Sequence, residues 1–346
     1  MRSRVAVGFP VRHLRRVKAA FLERTGPPEV IQYGELPGPS IKGNQVRVRV
    51  GAVALNPIDT YVRSGLVPME LPKPFVIGCD FAGIVEAAGV DVKSLRVGDR
   101  VWGSNQGLLG RQGTFAEQIA VDELWAYPIP PGVSDTTAAA GALVGITAHL
   151  GLVREAQIQK GETIFVNGGS GGVGSTVIQM AVALGARVFC CAGTDAKVQA
   201  CRQLGAEAAF NYRTQDVVGE IKKVAPAGVN VWWETTREPD FDKAVTSLSS
   251  RGRLILMAGR EARPPFPVGP FYVKGCSLRG FVMFAASPDE QRAAALDINR
   301  WLASGAYKPR IDRILSLAEA AQAHALQEQS TVARGGEISG KIVLRP

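Results

Sequence analysis

The segment that most restricts this chain lies between Thr163 and Leu184. A β-like run, Thr163-Ile164-Phe165-Val166, enters Asn167-Gly168-Gly169-Ser170-Gly171-Gly172-Val173-Gly174, and apolar residues then recur at Val177, Ile178, Ala181 and Leu184 with helical spacing. Strand, G-x-G-x-x-G and helix in that order form the opening turn of a dinucleotide-binding βα unit. One glycine makes the turn, another lets the backbone approach a pyrophosphate, and the last lets helix pack on strand. The amides at the helix N-terminus face the anion. Asn167, Gly169, Ser170, Gly171, Gly172, Val173 and Gly174 are therefore candidate cofactor-binding residues.

The pattern around this loop is an alternation of strands and helices from Glu162 to Ser304. Strands are expected at Thr163–Val166, Arg187–Ala192, Ala208–Phe210, Val229–Trp233, Arg253–Ala258 and Ser277–Met283. Helices between them imply a doubly wound parallel sheet covered on both faces, an α/β Rossmann domain placed at 141–305. Before it, short Val/Ile runs punctuated by Gly, Pro and Asp suggest a compact, mostly antiparallel β-rich domain over 17–140, to which 306–346 returns. An Ala-rich helix after Asp135 joins the two. Residues 1–16 form a basic extension.

Charge gives little direction. Lys and Arg outnumber Asp and Glu 40 to 31, but Arg2, Arg4, Arg12, Arg15 and Arg16 fall in the acid-free start of the chain. That start has no apolar core of a secretory signal. The body's small positive surplus suits a phosphorylated cofactor, and no basic stripe is interleaved with aromatics as nucleic-acid binding requires. Five cysteines, among them adjacent Cys190 and Cys191 that a strand would turn to opposite faces, suggest buried free thiols in a reducing, cytoplasmic setting. Thr136 to Val153 and Thr163 to Ala186 lack charge, yet glycines and His149 argue against membrane spans.

Cofactor choice is set where the strand after the glycine loop ends. An acid there would accept from the adenosine ribose and repel a 2′-phosphate. Here the turn reads Ala192-Gly193-Thr194, with Asp195 arriving late, Lys197 on the same turn, and Tyr212 and Arg213 after the next strand. Gly193, Thr194, Lys197 and Tyr212 favour NADPH. The Gly259-Arg260 turn is the candidate approach to the nicotinamide.

With Asn56-Pro57-Ile58-Asp59-Thr60-Tyr61-Val62-Arg63-Ser64-Gly65, Gly78-Cys79-Asp80-Phe81-Ala82-Gly83, Gly98-Asp99-Arg100-Val101, the glycine loop and Gly193-Thr194-Asp195-Ala196-Lys197, the chain resembles the medium-chain dehydrogenase/reductase superfamily. Within it the likeness is to the zinc-independent quinone oxidoreductases that include zeta-crystallin, from about Val17 to Pro346. The resemblance implies a GroES-like catalytic domain, a Rossmann domain, a homodimer, and NADPH in the interdomain cleft with Lys197 and Tyr212 on its 2′-phosphate. Zinc enzymes of the superfamily place Cys at Asn56, His at Cys79 and a second Cys near Ala142. Two of these positions hold no ligand here, so no metal is expected.

Without a Lewis acid the acceptor must delocalise incoming hydride density itself, which selects quinones and α,β-unsaturated carbonyl compounds. The developing oxyanion needs a donor, and Tyr61 is the candidate. Asn56 is the candidate for orienting substrate or nicotinamide, and Asp59 for fixing the local turn. A 2-enoyl thioester reductase is the alternative within the same chemistry. A non-catalytic nucleotide-bound scaffold or RNA-binding protein is the alternative outside it. His149 is expected in the core, His13 and His324 show no partner pattern, and Phe281, Met283 and Phe284 line either a pocket or a subunit seam.

Overall fold

The computed structural model describes residues 16–331 and 337–346. The basic extension at 1–16 lies outside the described residues except for Arg16. Two large sheets organise the rest.

The first has six parallel strands in the order Ala208–Asn211, Arg187–Ala192, Thr163–Asn167, Val229–Glu234, Leu248–Leu256 and Ser277–Gly280. Counted along the chain this is 3-2-1-4-5-6, the doubly wound arrangement, whose switch point lies between Thr163–Asn167 and Val229–Glu234. Helices cover both faces, so neighbouring residues of one strand enter different cores. Cys190 and Trp233 pack on one side of the sheet, Cys191 and Trp232 on the other. All five cysteines are free and four are buried.

Two strand limits differ from expectation by three residues or more. The fifth strand begins at Leu248, not Arg253, because Arg251 takes a left-handed φ of 60° and lets extended pairing pass the Arg-Gly pair that reads as a turn. The sixth stops at Gly280, not Met283, because its partner ends at Leu256, opposite Gly280. Met283–Ala285 is a short 3₁₀ turn instead.

The second sheet is built on the long strand Gln45–Leu55, where Val46, Val48 and Val50 point inward. It pairs antiparallel with Asp80–Ala88, Gln118–Asp122 and Lys341–Arg345, so the end of the chain is a central strand of the N-terminal lobe. Ile311–Ser316 lies parallel to Lys341–Arg345, while Arg100–Gly103 and Ala126–Pro128 extend the other edge. A small sheet of Gln32–Pro37, Arg16–Leu22 and Phe75–Val76 lies apart from it.

The Ala-rich helix Asp135–His149, capped by Ser134 on the Thr137 amide and continued to Glu155, is apolar on every side and correspondingly buried. It packs against the glycine-loop helix Gly172–Ala183 and against strands Gln45–Leu55 and Asp80–Ala88, which makes it the joint between lobes. By length and composition it is the one described helix that could cross a membrane, and 89% of its apolar window is inside the protein.

Candidate active site at the junction of the lobes

The glycine loop leaves the sheet at the switch point. Gly168 turns the chain with φ 91°, and Gly169 lies so close to the next strand that a Cβ would be 2.9 Å from that of Cys190. At Gly174 a Cβ would run into the Gly168 carbonyl oxygen. Gly171, where a Cβ would meet only the Gly168 carbonyl oxygen at 3.8 Å, precedes a helix with no side-chain cap, which leaves the first-turn amides of Gly172, Val173 and Gly174 for an anion. Asn167 braces the loop from below: its Nδ2 donates to both Glu234 carboxylate oxygens at 2.9 Å, and its Oδ1 accepts from Cys191 Sγ at 3.0 Å. Glu234, buried at the end of its strand, also accepts from Trp232 Nε1 at 3.1 Å and from the Thr236 amide at 2.8 Å.

Beyond the next strand, Thr194 caps the helix Asp195–Gln203, accepting from the Lys197 amide at 3.3 Å. Asp195 is engaged by Asn211 Nδ2 at 2.7 Å. Tyr212 sits over Gly193, where a Cβ would be 2.5 Å from the phenol oxygen. Lys197 Nζ donates to the Ile338 carbonyl at 3.2 Å. Burial lowers its pKa, Asp312 opposes that, and Arg213 and Arg310 add to the lowering. Gly193, Thr194, Lys197 and Tyr212 are thus gathered in one place, and Arg310, which no sequence signal marked, joins them. The bare amides at the N-terminus of the glycine-loop helix fit the diphosphate of a nicotinamide dinucleotide.

A second cluster, in the β-rich lobe, starts at Asn56. Its backbone amide donates to Asp59 Oδ2 at 2.8 Å and starts the helix Pro57–Ser64, which Gly65 ends with φ 83°. Asp59 fixes this turn, and the helix carries half-buried Tyr61. Asn56 itself is fully buried with its amide committed inside the protein. Nδ2 donates to Asp80 Oδ2 at 2.8 Å and to the Ala54 carbonyl at 3.3 Å, while Oδ1 accepts from Lys341 Nζ. Lys341 Nζ also lies 3.7 Å from Asp80 Oδ2, and Asp80 Oδ1 accepts from the Leu143 amide at 3.1 Å. The lysine stem passes the glycine loop, since a Cβ on Gly172 would be 3.2 Å from its Cδ. One buried ammonium therefore ties the last strand, the helix Pro57–Ser64, the joint helix and the cofactor loop together.

Sequence inspection missed Lys341 and Asp80. The available signal was a lysine opening the apolar strand Lys341-Ile342-Val343-Leu344, a charge that must be paired if the strand is buried. Burial pushes the Asp80 carboxyl up and the Lys341 ammonium down, each opposed by the charge of the other. Burial raises Asp59 to about 7 against the hydrogen bonds from Cys79 and Asn56. Burial, together with Asp59, pushes the Cys79 thiol well up.

These residues do not fit a catalytic zinc. An amide and an ammonium-bound carboxylate stand beside one protonated thiol, whereas zinc needs deprotonated ligands. Among the described residues no cluster of three His, Cys, Asp or Glu could hold a metal.

Across the cleft, the loop after Val229–Glu234 brings Arg237 over the Tyr61 ring, with the guanidinium carbon 5.5 Å from the centroid. The Arg237 carbonyl approaches Gly259, whose φ is 85°, so the Gly259-Arg260 turn borders the same crevice, with Arg260 exposed. His149 is a core residue on Asp297 at 2.9 Å, and His324 is buried beside Phe115. Met283 is buried, while Phe281 and Phe284 pack on the core from its edge. His13 lies outside the described residues.

Comparison with known proteins agrees with this geometry. Residues 42–131 match the alcohol dehydrogenase GroES-like domain and residues 172–299 match the zinc-binding dehydrogenase family. A quinone oxidoreductase of Sus scrofa is 33% identical over 323 residues, covering 92% of this chain and 94% of that protein. A solved NAD-dependent alcohol dehydrogenase superimposes with a TM-score of 0.86 at 29% identity, covering 95% of this chain and 99% of the other. A mycobacterial protein solved in complex with NADPH gives 0.82 at 29% identity, covering 95% and 100%. With a GroES-like lobe, a Rossmann lobe and this degree of identity along nearly its whole length, the chain belongs to the medium-chain dehydrogenase/reductase superfamily, as an oxidoreductase of the quinone oxidoreductase kind.

Proposed function

We propose that this oxidoreductase uses NADPH to reduce quinones or α,β-unsaturated carbonyl compounds without a catalytic metal. The observation that carries the proposal is the buried Lys341–Asn56–Asp80 frame, which stands among the positions that would have to supply zinc ligands. Lacking a Lewis acid, the site suits acceptors that move charge onto their own oxygen. The recess of Lys197, Tyr212, Arg213 and Arg310 supports NADPH over NADH, and the NADPH-bound neighbour adds to that support.

Bound NADPH supplies a hydride from C4 of its nicotinamide ring. Tyr61 then donates a hydrogen bond to the acceptor's carbonyl oxygen as negative charge builds there. Burial raises its pKa, against the pull of Arg237, so the phenol keeps its proton through the neutral range. Asn56 acts through the frame, anchoring the helix that carries Tyr61. Two copies are proposed to associate along the edge strand Ser277–Gly280, which is flanked in the chain by exposed Tyr272, Val273 and Val282. Free thiols suit a reducing, cytoplasmic setting.

A panel of small quinones and enones assayed with NADPH and NADH in parallel tests the proposal. NADPH should be consumed faster, on conjugated acceptors, with no loss after chelation. Turnover confined to simple ketones, or abolished by chelator, contradicts it.

A further inference from the structure

Among the charged groups at the junction of the lobes, Arg237 has no role in the proposed reaction beyond its effect on Tyr61. It follows the central strand at the switch point, where ligands of open parallel sheets bind. Its loop is held rigidly: Glu234 accepts from the Thr236 amide at 2.8 Å, Thr235 Oγ1 donates to the Asn167 carbonyl at 2.5 Å, and Thr236 Oγ1 donates to the Glu238 carbonyl at 3.1 Å. The guanidinium is half-buried and makes no ion pair with any described carboxylate, yet it is fixed over the ring of Tyr61 from the opposite lobe. A stacked guanidinium still presents its N–H edge, and that edge matches a carboxylate two bonds at a time.

We propose that Arg237 is a specificity-determining residue that selects conjugated acceptors bearing a carboxylate. The acceptor's carbonyl oxygen lies on the Tyr61 hydroxyl and its carboxylate on the Arg237 edge, so the two lobes grip one molecule at two points. This deepens the proposed reductase activity and rests on it for the identity of the carbonyl end only.

The test compares trans-4-phenyl-3-buten-2-one with its 4-carboxyphenyl analogue in the wild type, Arg237→Ala and Arg237→Lys. Wild type should favour the carboxylated enone in kcat/KM by about 10-fold or more, the scale of one charge-assisted pair. Arg237→Ala should lose that advantage through KM, so that its loss on the carboxylated enone exceeds any loss on the neutral enone by about 10-fold, and Arg237→Lys should keep part of it. An equal loss on both enones, or no wild-type preference, overturns the assignment. Calorimetric binding of the saturated carboxylated ketone to NADPH-loaded protein gives a second readout. If wild type reduces neither enone, the quinone and enone panel decides the reductase reading, while Arg237-dependent binding of this ketone upholds the carboxylate site and Arg237-independent binding or none overturns it.

Discussion

Replacing Lys341 with Met is expected to destabilise the protein by about 3–5 kcal/mol, the cost of leaving a buried charge without its partner. Asp80 is fully buried and keeps hydrogen-bond donors such as Asn56 and Leu143 but no opposing charge once the ammonium is gone, while Asn56 Oδ1 loses its own donor. The Met side chain fills the same channel past Gly172, so the loss comes from charge rather than volume. Equilibrium denaturation measures it. The double variant Asp80→Asn/Lys341→Met removes both charges and should recover part of the loss, giving a clear coupling energy. Additive effects would mean that the frame is not a unit.

Gly174→Val should weaken NADPH binding by at least about 100-fold, equivalent to some 2.7 kcal/mol. A Cβ there meets the Gly168 carbonyl and lies 3.0 Å from the Gly169 Cα, so the helix N-terminus must move away from the turn it serves. Because such a change also strains the fold, Gly171→Ala is the companion variant. Its Cβ finds only the Gly168 carbonyl oxygen at 3.8 Å, so the protein should fold as before, while an added methyl group beside the first-turn amides is expected to hinder the approach of a phosphate. Unchanged nucleotide affinity in both variants would remove the loop from the binding site.

The parts of this molecule legible in its sequence were those written in local runs. The strand, glycine loop and helix from Thr163 to Ala183 need one another within a few residues, so their spacing alone reveals them. The turn from Gly193 to Lys197 is legible for the same reason, although its Thr194 cap and the Asn211–Asp195 bond show only in the structure. Lys341 was hidden because its partners lie far back in the chain at Asn56 and Asp80, and only the insertion of the last strand beside Gln45–Leu55 brings them together. Arg237 was hidden because its neighbour Tyr61 belongs to the other lobe. The strand from Leu248 was misjudged at Arg251-Gly252, where a pair that ordinarily breaks a strand is carried through by one left-handed residue.

The most direct test of a phosphate-reading cofactor cleft is equilibrium titration of NADPH and NADH, side by side, into the wild type and Lys197→Ala. NADPH should bind wild type more tightly by about 10-fold or more, the scale of charge-assisted contacts to phosphate, and Lys197→Ala should erase most of that difference while leaving NADH nearly unchanged. Binding of neither nucleotide, or equal losses for both in the variant, would contradict the account.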